Sequence, residues 1–458
     1  MDTNELKTYR TKLYSDLFSN ITQDRVPVQD AFGTAEYVIQ YAGKDLMTTQ
    51  YSYSDELLEE IYFKAGDELF RGDKLSAPYA RNAIGIMFEQ SISNQMGSSG
   101  FIQHPENCLM QPDEYDEYIK NPFDFFMEKV SPRESKQIGK DGAFRSRAVL
   151  LRQFAAMDQS AMFGRIAAKM VEKYGFTTEP AGSSTNTQPP FDLIADFARG
   201  FSQIPMDMRR CPEKLKEALA ATMPYILKMG TPSKPDVLGS AKIMTHMPAF
   251  LSLKQYEEFY HPTFAEMHHI YAENGWAMQN FLEQDWTRFI DDLEDLPMGT
   301  RIYMEKGDMK KFKDVLGKKL VLGGFYPLSM LRTGTKEQCV DLAKEILDVM
   351  APGGNYFFCF DKSALSLGDI IPENYIAVLD YVRDNSKYEN AGQPVSDLKK
   401  EDTITKGLGE KYPAFRSKYL PTFEEYLSEY PAVDEKAIPY MKAAYDKYMA
   451  KLGLGRNF

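Results

Sequence analysis

The chain has 458 residues, 43% of them hydrophobic and 13% aromatic, and a formal net charge of −12. That apolar share fills a large core and excludes a wholly disordered chain, while the acidity excludes a sequence-independent nucleic-acid binder. Four scattered cysteines, Cys108, Cys211, Cys339 and Cys359, make no C-x-x-C and no disulfide framework, which fits a reducing cytoplasm. The first residues are charged, without the apolar core of a signal peptide, and no run approaches the roughly 18 apolar residues of a membrane span.

Taken in order, residues 1–20 predict a helix with Leu6, Tyr9, Leu13, Tyr14 and Leu17 on one side. A first strand follows over 24–32. Residues 54–70 read as a helix with Ser54 as N-cap and Glu56, Glu59 and Glu60 near its start. NAIGIMF, over 82–88, predicts a second strand, and a glycine- and serine-rich run over 96–100 comes after it. Residues 113–119 and the Ala- and Met-rich 145–174 are helical. The stretch 176–190 reads as a surface loop inside one domain, because strand–helix alternation resumes beyond it. Helices over 212–228 and 253–274 enclose a strand over 242–247.

The stretch 276–327 is the most regular. Three short apolar runs, 276–282, 301–304 and 320–324, alternate with two amphipathic segments of helical period. That is the pattern of consecutive βαβ units on a parallel sheet. A helix over 335–349, a strand over 356–360 and a helix over 372–385 complete it. The expected fold class is therefore α/β, a (β/α)₈ TIM barrel over 20–390 with an N-terminal helical elaboration. A C-terminal helical extension covers 391–458. In it, a helix over 434–452 is expected to turn Ile438, Met441, Ala444, Tyr445 and Met449 toward the barrel or a second subunit of a homodimer.

Polar residues at the C-terminal ends of parallel strands converge on one mouth. His246, Glu283, Asp285, Glu305, Asp308, Cys359 and Asp361 all sit at or just beyond such ends. One imidazole, one or two carboxylates and a thiolate suit Zn²⁺ with an open position. Each has a plainer reading. Glu283, Asp285 and Asp308 are placed to cap following helices, and Cys359 inside YFFCF suits a buried inert thiol. His268 and His269 are adjacent in mid-helix and read as core or solvated residues. No G-x-G-x-x-G after a strand, P-loop, H-E-x-x-H or G-x-S-x-G is present, nor a D-x-H-x-x-G cobalamin loop.

The segments HMPAFLSLKQYEEFYHPTFAEM, NFLEQDWTRFIDDLEDLPMGTRIYMEKGDMKKFKDVLGKKLVLGGFYPLSMLRTGT and GGNYFFCFDKSALSLGDIIPENYIAVLDYV resemble the uroporphyrinogen decarboxylase superfamily. More narrowly they resemble its corrinoid-dependent methyltransferase branch, which includes chloromethane-utilisation-like and anaerobic O-demethylase methyltransferases. The R-Q-A-G-R-type motif of the decarboxylases is missing, as is their late glycine–histidine–glycine turn. The His-x-Cys pair of the thiol-methylating members is replaced by Phe281 and Glu283. The resemblance implies methyl transfer from a small methylated substrate, a methyl ether, aromatic or otherwise apolar, to a cobalt(I) corrinoid carried by a separate partner protein. It implies zinc as Lewis acid, with His246, Glu283, Cys359 and Glu305 as ligands and Glu283, Glu305 and Asp308 as catalytic groups. The alternatives are a decarboxylase-like lyase and a non-catalytic tetrapyrrole- or corrinoid-binding protein. A cytoplasmic location, no nucleic acid and no membrane partner complete the expectation.

Overall fold

The computed structural model describes residues 1–75 and 83–452. Its centre is a parallel six-stranded sheet in strict chain order. The strands are β1 (Thr185–Asn186), β2 (Ala241–Thr245), β3 (Met278–Asp285), β4 (Arg301–Lys306), β5 (Val321–Gly324) and β6 (Tyr356–Phe357). Registers follow without crossover: Ala241 faces Met278, Gln279 faces Arg301, Arg301 faces Val321, and Leu322 faces Tyr356. Helices lie between successive strands, among them His261–Glu273, Met309–Leu316 and Lys336–Met350. This is an α/β fold, and the three apolar runs of 276–327 are strands as their sequence predicts.

Parallel pairing also occurs beyond the six strands. Val28 pairs with Phe358, and Lys74 pairs with Thr177. The Gln29 N–H donates to the Phe358 carbonyl at 2.9 Å, and the Asp73 N–H donates to the Val28 carbonyl at 2.9 Å. The 176–190 stretch is thus more than a loop: it carries Thr177, paired with Lys74, and the strand β1.

Alternate residues of a strand point to opposite faces. One face is covered by helices: Asn280 meets His268 of His261–Glu273, whose Nε2 lies 2.9 Å from Asn280 Oδ1. The other, inner face carries Lys242, Met244 and His246 in one column. Gln279, Phe281 and Glu283 form the next, then Arg301, Tyr303 and Glu305. Helix Thr3–Phe18 packs against this inner face at the end where the strands begin. Its buried stripe Leu13, Tyr14 and Leu17 has helical spacing, and Tyr14 and Leu17 join Val321, Phe357 and Cys359 in one apolar cluster.

One expected strand is a helix. Ala83–Glu89 is helical, with Ala83 and Gly85 buried, and it packs on the long helix Ala143–Tyr174. Asn82, the first residue of that expected strand, lies outside the described residues. A short apolar run has no periodicity of its own to separate strand from buried helix. The extension past 390 first runs along the outside of the sheet's helices. The Thr405 N–H donates to His269 Nδ1 at 3.1 Å, and Ser417 Oγ bonds Asp124 Oδ1 at 2.5 Å. It ends in the helices Phe423–Glu429 and Ile438–Leu452, which pack on each other through Phe423, Tyr426 and Tyr445.

Candidate active site at the strand ends

β3 ends on an irregularity. Its register with β4 shifts between Leu282 and Asp285, and Gln284 takes φ 62°. Positive φ is uncommon for a side chain other than glycine, and a bulge at a strand end re-aims its neighbours. The Gln284 N–H donates to Glu305 Oε2 at 2.8 Å, which joins the ends of β3 and β4. The Trp286 indole donates to the Glu283 carbonyl at 2.9 Å and fixes the turn. Glu283 therefore leaves the strand beside His246, which follows β2. His246 Nε2 stands 3.4 Å from Glu283 Oε1.

The other imidazole nitrogen is held from below the rim. His246 Nδ1 lies 2.9 Å from Asp196 Oδ2. Asp196 sits in a π-helical turn, Ala195–Arg199, that continues the helix Pro190–Ile194. Such turns widen a helix and displace side chains, and they recur at functional sites. Four residues earlier, Asp192 is fully buried. It accepts from the Met247 N–H at 2.8 Å and from the Tyr260 hydroxyl at 2.6 Å, which ties the segment after His246 to the helix. Asp196 Oδ1 is buried and has no hydrogen-bond partner among the described residues.

Three carboxylates thus act on one imidazole. Burial alone would lower the His246 pKa, but the hydrogen bond and charge of Asp196, with Glu283 and Asp192, override it and push it up to about 9. Burial holds the Glu283 carboxyl above its ordinary range; His246 opposes this, while Glu305 and Asp196 add to it. Asp192 is raised by burial and then by the charge of Asp196. Around neutral pH the imidazole is a cation, kept charged by its neighbours. Beside it stands an apolar wall. The Phe201 ring lies 6.3 Å from His246 and 6.1 Å from Phe250. Phe250 is 69% exposed and Met244 58%. Apolar surface this open next to fixed charges is the composition of a small-molecule site.

Of the residues singled out in the sequence, His246, Glu283 and Glu305 come together. Asp308 caps the helix Met309–Leu316, accepting from the Lys311 N–H at 3.0 Å. Cys359 is buried in the cluster with Tyr14 and Leu17, and burial raises its thiol pKa far above the ordinary range. Asp285 accepts from the Thr287 N–H at 2.8 Å, in a turn. His268 is buried and its pKa is pushed down to about 4 by burial. Asp192, Asp196 and Tyr260 escaped the sequence reading. The signal available was Asp-x-x-x-Asp inside the apolar run FDLIADFARGF, since a buried carboxylate there needs a partner.

Among the described residues, no group of three or more His, Cys, Asp or Glu is arranged to hold a metal ion. His246 has a carboxylate on each nitrogen, and Cys359 lies in a different cluster. A catalytic zinc takes three protein ligands, so the four residues that the resemblance implies do not fit zinc as they stand. No described helix is long and apolar enough to cross a membrane.

No family model matches the sequence, and no match is found among curated proteins. Among solved structures the chain is similar to a methyltransferase from Methanosarcina mazei. The TM-score is 0.50 at 14% identity, over 83% of this chain and 98% of that one. At that identity the likeness concerns the fold alone: an α/β architecture on a parallel sheet.

Proposed function

We propose that this chain transfers a methyl group from a small methylated substrate, a methyl ether, to a cobalt(I) corrinoid presented by a separate protein. The single observation behind this reading is the His246 imidazolium held between Asp196 and Glu283 where the strands end. Pairings of Val28 with Phe358 and of Lys74 with Thr177 support a sheet that continues into a closed (β/α)₈ barrel over 20–390, with 391–458 as its extension. The site then lies at the barrel mouth. The sequence resemblance supports the reaction class and the partner.

The chemistry asked of the protein is small. When the carbon–oxygen bond breaks, its electron pair stays on oxygen and the methyl group passes to the corrinoid. The developing oxyanion takes the proton from His246 Nε2. Asp196 keeps the imidazole oriented through Nδ1 and charged. Glu283, whose Oε1 stands 3.4 Å from Nε2, balances the charge in the resting site and yields its place to the substrate oxygen. Phe201, Phe250 and Met244 offer the substrate an apolar surface beside the charges. No step runs through a metal. The test is transfer to free cob(I)alamin from an aromatic methyl ether, before and after chelation and dialysis. Undiminished transfer is expected; activity lost on chelation and restored only by zinc would overturn the proton path. No demethylation of any methyl ether would overturn the substrate class.

A further inference from the structure

A second site candidate lies at the opposite end of the strands. A cavity of about 610 Å³ opens beneath β3–β6, between the end of helix Thr3–Phe18 and the extension near Leu398–Glu401. Such a volume suits a small organic molecule. Three cations line it, Arg301, Lys319 and Lys400, against two anions, Asp236 and Glu401. Arg301 is 1% exposed and makes no ion pair with a carboxylate among the described residues. Its guanidinium lies 3.5 Å from the centre of the Phe18 ring, its two Nη atoms donate to the carbonyls of Leu238 and Val237, and its Nε is unpartnered. Lys400 is half-buried; its carbonyl accepts from the Thr403 hydroxyl at 2.7 Å, but its ammonium has no hydrogen bond or ion pair among the described residues. Its pKa is lowered by burial and then by the charge of Arg301. Asn355, also in the lining, has a buried Oδ1 without a partner.

Arg301 and Lys400 are partly dehydrated and repel each other, and Lys319, whose ammonium donates to the Glu294 carbonyl at 2.6 Å, adds a third positive charge to the lining; such a set calls for an anion. Asp236 and Glu179 favour the Arg301 charge only from a distance, neither being ion-paired to it among the described residues, and Asp236 Oδ1 accepts from the Leu238 N–H at 2.8 Å within its own turn. We infer that this cavity binds a small molecule bearing a phosphate or carboxylate group, held by Lys400 and Lys319 over the Arg301 charge. The site is separate from the mouth and owes nothing to the methyl-transfer reading. Because residues from both ends of the chain line it, its ligand fastens the helix Thr3–Phe18 and the extension to the strands.

The experiment is calorimetric titration of the full chain with inorganic phosphate and with citrate, against sodium chloride of equal ionic strength. Saturable binding of at least one of the two is expected, about tenfold weaker in Lys400→Gln because a charge-assisted hydrogen bond is lost. Lys400→Arg should retain it. Which probe binds tells phosphate from carboxylate. No binding above chloride, or binding that Lys400→Gln leaves unchanged, overturns the inference.

Discussion

The two ends of the inner sheet face carry opposite charge. Lys242 and Arg301 stand where their strands begin; His246, Glu283 and Glu305 stand where β2, β3 and β4 finish. The same columns supply both layers, because residues i and i+4 of a strand share a face and lie about 13 Å apart. At the lower end, buried cations are held by few anions. Glu179 bridges Lys74 at 2.6 Å and Lys242 at 2.7 Å, while Arg301 rests on carbonyls and a ring. At the mouth, several carboxylates share one imidazolium. Below, Lys74 and Lys242 are locked onto Glu179, a fixed pairing that defines the structure, while Arg301 has no ion pair among the described residues. Above, they are partly exposed and leave a proton within reach of a ligand.

The largest effect on this contrast should come from Glu179→Ala. Burial raises the Glu179 pKa, but Lys74 and Lys242 override it and bring it to about 2; Lys74 is lowered by burial to about 8. Removing the bridge leaves Lys74 buried and unpaired, so chemical denaturation should show a loss of about 3–5 kcal/mol. A loss under about 1 kcal/mol would mean that the lower charges are not locked.

The next effect concerns pH. His246 has a folded pKa of about 9 against an ordinary 6.5. The stabilisation it contributes is fully present below pH 6.5 and is lost as pH rises through 9. At about 1.36 kcal/mol per unit, the shift corresponds to about 3 kcal/mol. Asp196→Asn should lower stability at pH 7 and flatten the decline between pH 7 and 10. An unchanged slope in that variant would show that Asp196 does not hold the imidazolium.

The smallest effect is Asp308→Ala. Loss of an N-cap should cost about 1 kcal/mol and leave methyl transfer unaltered. A fall in rate without a fall in melting temperature would return Asp308 to the catalytic group.

The strands β2 to β6 and the charges of Glu283 and Glu305 were legible for one reason. An apolar run ending on a carboxylate, as 276–282 ends on Glu283, marks both a strand and its exit. The helix Ala83–Glu89 was not, since NAIGIMF fits two conformations and its packing on Ala143–Tyr174 decides between them. Nor was Cys359: spacing puts it on the inner face, but only the position of helix Thr3–Phe18 buries it there. Asp192 and Asp196 reach His246 from a helix some fifty residues away, through a π turn that no periodicity announces.

The central claim is that His246 and Glu283 form the transfer site. Its most direct measurement is the rate of methyl transfer to cob(I)alamin in His246→Ala and Glu283→Gln, beside the melting temperature of each. Loss of a positioned acid typically lowers a rate by about 10²–10⁴-fold. The account predicts a fall of that size in His246→Ala, a smaller one in Glu283→Gln, and little change in the fold of either. Full transfer by both variants would contradict it.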